Sequence, residues 1–285
     1  MPTPTARLTA DNHVHSEWSW DADAGSMEAS CARALELGLT TIAFTEHWDP
    51  TPCQIESAAL PHLPPDIRRF VAEDGVFRAP LLDVEGYLAC VDGARRRFPQ
   101  LRILSGVELG EPHWWPEALA TLVRQARFDR ILGSVHCVDI DGSYQYVDGM
   151  YGARAPHEVV RIYLGEVLRL VESSTAFEVL AHIDYPVRAW PTSTGGAYHP
   201  SAFQDEYRTV LRALARSGRV LEINTAVPLH AEVVRWWYDE GGKAVSLGSD
   251  AHEPTRIASG FAAAAALANS CGFAPDPADP SWLHR

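Results

Sequence analysis

Seven apolar, β-branched runs alternate with segments of helical period along this chain, and that alternation leaves few folds open. The runs cover 8–15, 40–47, 101–109, 130–136, 179–184, 219–225 and 244–250. The helical segments cover 27–37, 81–98, 116–127, 157–173, 201–217, 231–240 and 256–270. Strict strand–helix alternation argues for a parallel sheet with helices packed outside it. No G-x-G-x-x-G turn follows a strand, so a closed α/β barrel suits the pattern better than an open dinucleotide-binding sheet. Pro116 stands at a first-turn position, Ser201 is placed to cap, and Gly38 and Gly218 follow helix ends where a left-handed residue is wanted. No repeat or low-complexity linker divides the 285 residues, which are expected to form a single domain over 1–285. One proline-rich insertion, about 48–80, separates the second strand from its helix and is expected to overhang the barrel mouth.

In a parallel barrel the C-terminal strand ends all face one mouth. Here they read D-N-H-V-H with His13 and His15, T-E-H with His47, G-V-E with Glu108, G-S-V-H with His136, A-H-I-D with His182 and Asp184, E-I-N-T from Glu222, and S-D-A-H with Asp250 and His252. His13 and His15 are two apart, so on a strand they point to the same side and can grip one ion. A single strand histidine is most often an ordinary core or surface residue. Six of them at the same end of successive strands, joined by carboxylates, read instead as a metal site at the C-terminal ends of the strands. Imidazole with carboxylate suits zinc, iron or manganese, and the absence of thiolates argues against a merely structural zinc. More ligands than one ion can take means two or three divalent ions, and paired ions about 3.5–4 Å apart are a common device for hydrolysing phosphate esters.

The remaining composition excludes rather than assigns. The chain has 37 acidic and 24 basic residues, a formal net charge of −13, and Lys243 as its one lysine. A protein that neutralises nucleic-acid phosphates needs a basic stripe. Arg95, Arg96 and Arg97 are better read as a solvated helix end, so no nucleic-acid partner is expected. No apolar run is long enough to span a membrane, and the first residues lack a signal-peptide stretch. The five cysteines (Cys31, Cys53, Cys90, Cys137, Cys271) are odd in number, scattered and never spaced C-x-x-C. The expectation is a reducing, cytoplasmic setting with no disulfide framework.

The series H-x-H, T-E-H, G-x-E, G-S-V-H, A-H-I-D and S-D-A-H, in that order, resembles the PHP (polymerase and histidinol phosphatase) superfamily over nearly the whole chain. A-H-I-D-Y-P-V-R, L-E-I-N-T and G-S-D-A-H are similar to its monofunctional histidinol-phosphatase branch. The resemblance implies a distorted, TIM-like (β/α)7 barrel with a trinuclear metal centre, and hydrolysis of a small-molecule phosphate ester, L-histidinol phosphate, in histidine biosynthesis. It implies one ion on His13, His15, Glu108 and Asp250, a second on Glu108, His136 and His182, and a third on Asp21, His47 and His252, with Glu17 an alternative to Asp21. Asp250 or His252 would serve the leaving alkoxide, and Arg188 would hold phosphate, with Arg256 a second candidate for that role. Walls suited to an ammonium and an imidazole could come from Glu111, Trp114, Trp115, Asp139 or Asp184, the last alternatively orienting His182.

Three other readings compete. An amidohydrolase-type barrel also begins with H-x-H, but many of its binuclear members bridge their metals with a modified lysine on a middle strand, and Lys243 precedes the last strand. A PHP enzyme could act on a nucleotide, sugar or phosphotyrosine ester instead. A metal-binding module without turnover would not be expected to keep every ligand.

Overall fold

A computed structural model describes residues 10–55, 65–276 and 279–285. The start of the first expected strand, at 8–9, and the middle of the insertion, with His62, lie outside the described residues. Seven strands form the parallel part of one sheet, in chain order: β1 (Ala10–Val14), β2 (Thr41–Trp48), β5 (Arg102–Gly110), β6 (Arg130–Ser134), β9 (Val179–Leu180), β10 (Val220–Asn224) and β11 (Ala244–Gly248). Between them run two small antiparallel pairs, β3 (Cys53–Gln54) with β4 (Val76–Phe77), and β7 (Cys137–Ile140) with β8 (Ser143–Tyr146). Every residue of β1, β2 and β11 is buried, as expected of parallel strands covered on both faces.

The sheet curls until its first and last parallel strands meet at their C-terminal ends. Val14 bridges Ala251 in parallel, the His15 N–H donates to the Ala251 carbonyl at 2.9 Å, and the Asp250 N–H donates to the His13 carbonyl at 2.8 Å. At the other end the chain terminus intervenes. A hairpin of β12 (Ala274–Asp276) and β13 (Asp279–His284) adds two antiparallel strands beside β11, making nine in all. Seven parallel strands alone were expected. Pro275 argues against a strand in sequence, but at a sheet edge a missing N–H is tolerated. Asn12 donates its side-chain N–H to the Ser281 carbonyl at 2.9 Å and so ties β1 to this hairpin, while the Arg130 guanidinium lies 3.9 Å over the Trp282 ring.

Helix ends follow the local signals in most cases. Pro116 opens helix Pro116–Gln125, and Gly218 ends helix Gln204–Ser217 in the left-handed region at φ 76°. Ser201 does not cap: it lies in a 3-10 turn, Pro200–Phe203, and Phe203 takes the cap position. The last helix begins at Phe261 rather than near 256, because Gly260 at φ 76° interrupts the helical path. The fifth expected strand is cut to Val179–Leu180, since the backbone leaves the extended region at His182, where φ is 20°.

Cys53 and Cys137, 84 residues apart, are disulfide-bonded, which corrects the expectation of no disulfide framework. No spacing signal could reveal the pair, because it exists only where β3 of the insertion packs on β8 of the neighbouring hairpin. Cys31, Cys90 and Cys271 are free. No helix among the described residues is long and apolar enough to cross a membrane.

One buried hydroxyl joins helix Val84–Arg97 to the sheet. Tyr87 Oη donates to the Phe44 carbonyl at 2.8 Å and accepts the Gly106 N–H at 2.8 Å. Replacing it by phenylalanine strands both backbone groups in the core. Tyr87→Phe is expected to cost about 1–3 kcal/mol in urea unfolding, with the denaturant slope unchanged.

Candidate metal centre

Glu108, fully buried near the end of β5, is the centre around which the strand-end histidines gather. Its Oε1 lies 2.6 Å from His182 Nε2 and 3.4 Å from His136 Nε2. Its Oε2 lies 3.2 Å from His13 Nε2, 3.5 Å from His15 Nε2 and 3.2 Å from His47 Nδ1. Asp250 Oδ1 closes one side, 3.3 Å from His15 Nε2 and 3.6 Å from His13 Nε2. Asp21 Oδ2 closes another, 3.3 Å from His47 Nε2 and 3.2 Å from His252 Nε2. Three groups within the cluster bring one donor atom per residue within 4.8 Å of each other: His13, His15 and Asp250; His47, Glu108 and His136; and His15, His47 and His252. All nine sequence-predicted ligands therefore meet. Glu17, the alternative to Asp21, instead accepts the N–H of Met27 at the start of helix Met27–Glu36.

Strand geometry alone does not deliver these side chains. β11 ends at Gly248, and Asp250 sits in the left-handed region at φ 53°, held there by its N–H bond to His13. Gly248 is required beside it. A Cβ there would lie 2.2 Å from Glu222 Oε1 and 2.5 Å from the His13 Cβ.

On His13, His15 and His136 the ring nitrogens facing away from the cluster are engaged by groups the sequence did not single out. Glu222 accepts from His13 Nδ1 at 2.7 Å, which leaves the His13 Nε2 lone pair facing inward. Ser19 donates its hydroxyl to Glu46 at 2.6 Å, so it accepts from His15 Nδ1 at 2.9 Å and orients that ring the same way. Asp49 accepts from His136 Nδ1 at 3.1 Å and from Trp20 Nε1 at 2.9 Å. The signals were present in part: Glu222 is a carboxylate in a buried strand, and Asp49 is two residues from His47. What was missing was the geometry.

Charge distribution supports cation binding. Burial alone would raise the Glu108 carboxyl, but His13, His136, His47 and His182 hold it well below the ordinary range. Asp250 is likewise opposed by burial yet held low, by Arg188 and His13. Burial would lower His13, but Glu222, Glu108 and Asp250 raise it well above an ordinary imidazole. His15 is driven the other way, down to about 3, by burial and by the neighbouring His47 and His252. Its Nε2 lies 3.1 Å from that of His13 in a fully buried position. Two inward-facing imidazole nitrogens at that separation, flanked by carboxylates and without a thiolate, fit a borderline divalent cation.

The cluster lies at one side of a cavity of about 470 Å³. Arg188, in a 3-10 turn after His182, lines it, pairs through Nη2 with Asp250 Oδ2, and places its guanidinium 4.9 Å over the Tyr185 ring. Arg256 is exposed on another short turn and does not line the cavity. Nor do the expected wall residues. Glu111 is buried and accepts the N–H groups of His136 and Cys137, Trp114 stacks on Tyr144, and Trp115 donates to Thr51. Asp139 accepts from Gly142 within its hairpin. Asp184 makes no bond to His182, whose Nδ1 has no hydrogen-bond partner among the described residues.

Two measurements check this arrangement. Removing the Glu222 carboxylate as Glu222→Gln is expected to weaken zinc binding about 10–100-fold in chelator competition. Because His13 binds its proton more tightly than a free imidazole, protons compete with the ion as pH falls. Zinc affinity is therefore expected to drop from pH 8 to pH 6, with proton release on binding seen by calorimetry in buffers of different ionisation enthalpy.

Comparison with known proteins places the chain in a family. The PHP domain model matches residues 11–226. A probable histidinol-phosphatase of Clostridium acetobutylicum is 28% identical over 276 residues, covering 94% of this chain and 96% of the relative. The histidinol-phosphatase of Lactococcus lactis is 27% identical over 273 residues, covering 92% and 91%. The crystal structure of the histidinol phosphate phosphatase from Lactococcus lactis, complexed with zinc, L-histidinol and phosphate, superposes with a TM-score of 0.75 at 23% identity, over 94% of this chain and 95% of that one. The match to the family model spans the site's strands from Asp11 through Asn224, and this chain belongs to the PHP domain family.

Proposed function

We propose that this chain is a metal-dependent phosphomonoesterase that converts L-histidinol phosphate and water to L-histidinol and phosphate, working as one hydrolase unit built on a distorted (β/α)7 barrel. The observation that carries the reaction class is the Glu108-centred cluster of six imidazoles and three carboxylates, four of the imidazoles lining one cavity with Arg188. The substrate rests on full-length similarity to relatives bearing that name.

His13, His15, Glu108 and Asp250 would hold one ion, Glu108, His136 and His182 a second, and Asp21, His47 and His252 a third. Zinc, iron or manganese bound there supplies Lewis acidity to the phosphoryl group and to the attacking water. The chain's own groups supply the rest. Arg188 offers a guanidinium fork to a phosphate oxygen, and its present partner Asp250 keeps it aimed at the floor of the cavity. Glu108 and Asp250, both ionised, balance the positive charge that a dianionic ester also needs. Asp250, ionised and beside His252 on the cavity wall, would accept the proton released by the attacking water and pass it to the leaving alkoxide.

Phosphate release from L-histidinol phosphate tests the assignment, measured beside sugar, nucleotide and phosphotyrosine esters, with stripped protein and with metals restored. Turnover of histidinol phosphate that vanishes on stripping and returns with zinc or manganese is expected. Strong turnover of another ester alone would overturn the substrate, and no turnover of any would overturn the class. Arg188→Ala is expected to raise KM about 10–100-fold. An unchanged KM would remove Arg188 from phosphate binding.

A further inference from the structure

Among the described residues, one carboxylate on the cavity wall is not used by the metal centre. Asp21, Glu108 and Asp250 each lie within 4 Å of at least two histidine or arginine nitrogens. Asp148, the fourth carboxylate on the cavity wall, makes no hydrogen bond and no ion pair among the described residues. It is exposed, and what it faces is the cavity.

Its position is nevertheless fixed. Asp148 lies in the 3-10 helix Val147–Gly152, which follows β8. Val147, fully buried, donates its N–H to the carbonyl of His136 at 3.0 Å, so Asp148 is one residue from a backbone bond to a proposed ligand. Met150 is also buried, and Tyr151 Oη donates to the Pro186 carbonyl at 2.8 Å, two residues before Arg188. The backbone that carries Asp148 is thus tied to both His136 and the turn that bears Arg188. The insertion and the loop after β1 add apolar wall to the same cavity from Trp20, Ile55, Ile67 and Phe77.

A carboxylate on the wall of a phosphate site is a liability for an ordinary ester, because it repels the phosphate it must share the cavity with. Arg188 and His136 on the same wall offset part of that repulsion, and a cation on the rest of the ester would offset more. From this we infer that Asp148 determines specificity: its carboxylate receives the ammonium group of an amino-alcohol phosphate, while the apolar wall faces the planar remainder. The inference rests on the proposed phosphomonoesterase reading and adds to it the class of alcohol accepted and the residue that selects it.

The test compares two esters that differ only in the ammonium, L-histidinol phosphate and its desamino analogue, 3-(imidazol-4-yl)propyl phosphate. The wild-type holoenzyme is expected to prefer the first in kcat/KM by about tenfold or more, and Asp148→Asn to bring that ratio close to one. Asp148→Glu, which keeps the charge, should restore part of the preference. A ratio that survives Asp148→Asn, or equal losses on both esters, would overturn the inference. Calorimetric binding of the two alcohols, L-histidinol and 3-(imidazol-4-yl)propan-1-ol, to metal-loaded protein reads the same contact without turnover. Should the wild type fail to hydrolyse histidinol phosphate yet bind L-histidinol preferentially through Asp148, the reaction would be wrong and the ammonium site right. Equal binding of both alcohols by wild type and Asp148→Asn would overturn the site whatever the turnover.

Discussion

A carboxylate buried completely inside a protein must be compensated, and Glu108 is compensated by imidazoles from four other strands or strand ends. That single requirement organises the mouth of the sheet. Glu108 can stay ionised only if His13, His47, His136 and His182 converge on it, and they can converge only if the parallel strands carry them to one end. The same convergence brings Asp250 and Asp21 close, so that the cluster holds more donors than one cation could use.

The rings then have to face the right way, and this is work done by groups behind them. Glu222 behind His13, Ser19 and Glu46 behind His15, and Asp49 behind His136 each take the outward nitrogen. Histidines free to rotate would settle into pairs with the carboxylates. Held from behind, they present lone pairs to a common point, the arrangement a metal site needs. Gly248 and the left-handed turn at Asp250 serve the same end from the backbone, since a side chain at 248 would displace both Glu222 and His13.

The ligand set was legible because it sits at strand ends, where chain order maps onto spatial order with little ambiguity. His13 and His15 share a face by the period of a strand, and H-x-H, G-x-E and S-D-A-H mark three of the seven ends. Residues that act from behind were not legible. Glu222 and His13 are 209 positions apart and Asp49 and His136 are 87, and no spacing rule links them. The expected cavity walls failed for a related reason. Glu111, Trp114, Trp115 and Asp139 lie in loops of suitable position, but loop direction depends on packing, and these side chains turn to backbone N–H groups, to Tyr144 and to Thr51. The Cys53–Cys137 bond and the β12–β13 hairpin were hidden alike, one by separation and the other by proline.

What the sequence by itself determined is periodic or local: the strand–helix alternation, the helix start at Pro116, the glycine stop at Gly218, and the chemistry at the strand ends. These follow from forces acting over a few residues, so a linear reading captures them. Only the tertiary structure decided which ring nitrogen faces inward, that Asp21 rather than Glu17 meets His47 and His252, that Arg188 lines the cavity while Arg256 does not, and that Asp148 stands on its wall. Those outcomes depend on burial and on hydrogen bonds between distant segments, whose strength is set by the low-dielectric interior that exists only once the sheet has closed.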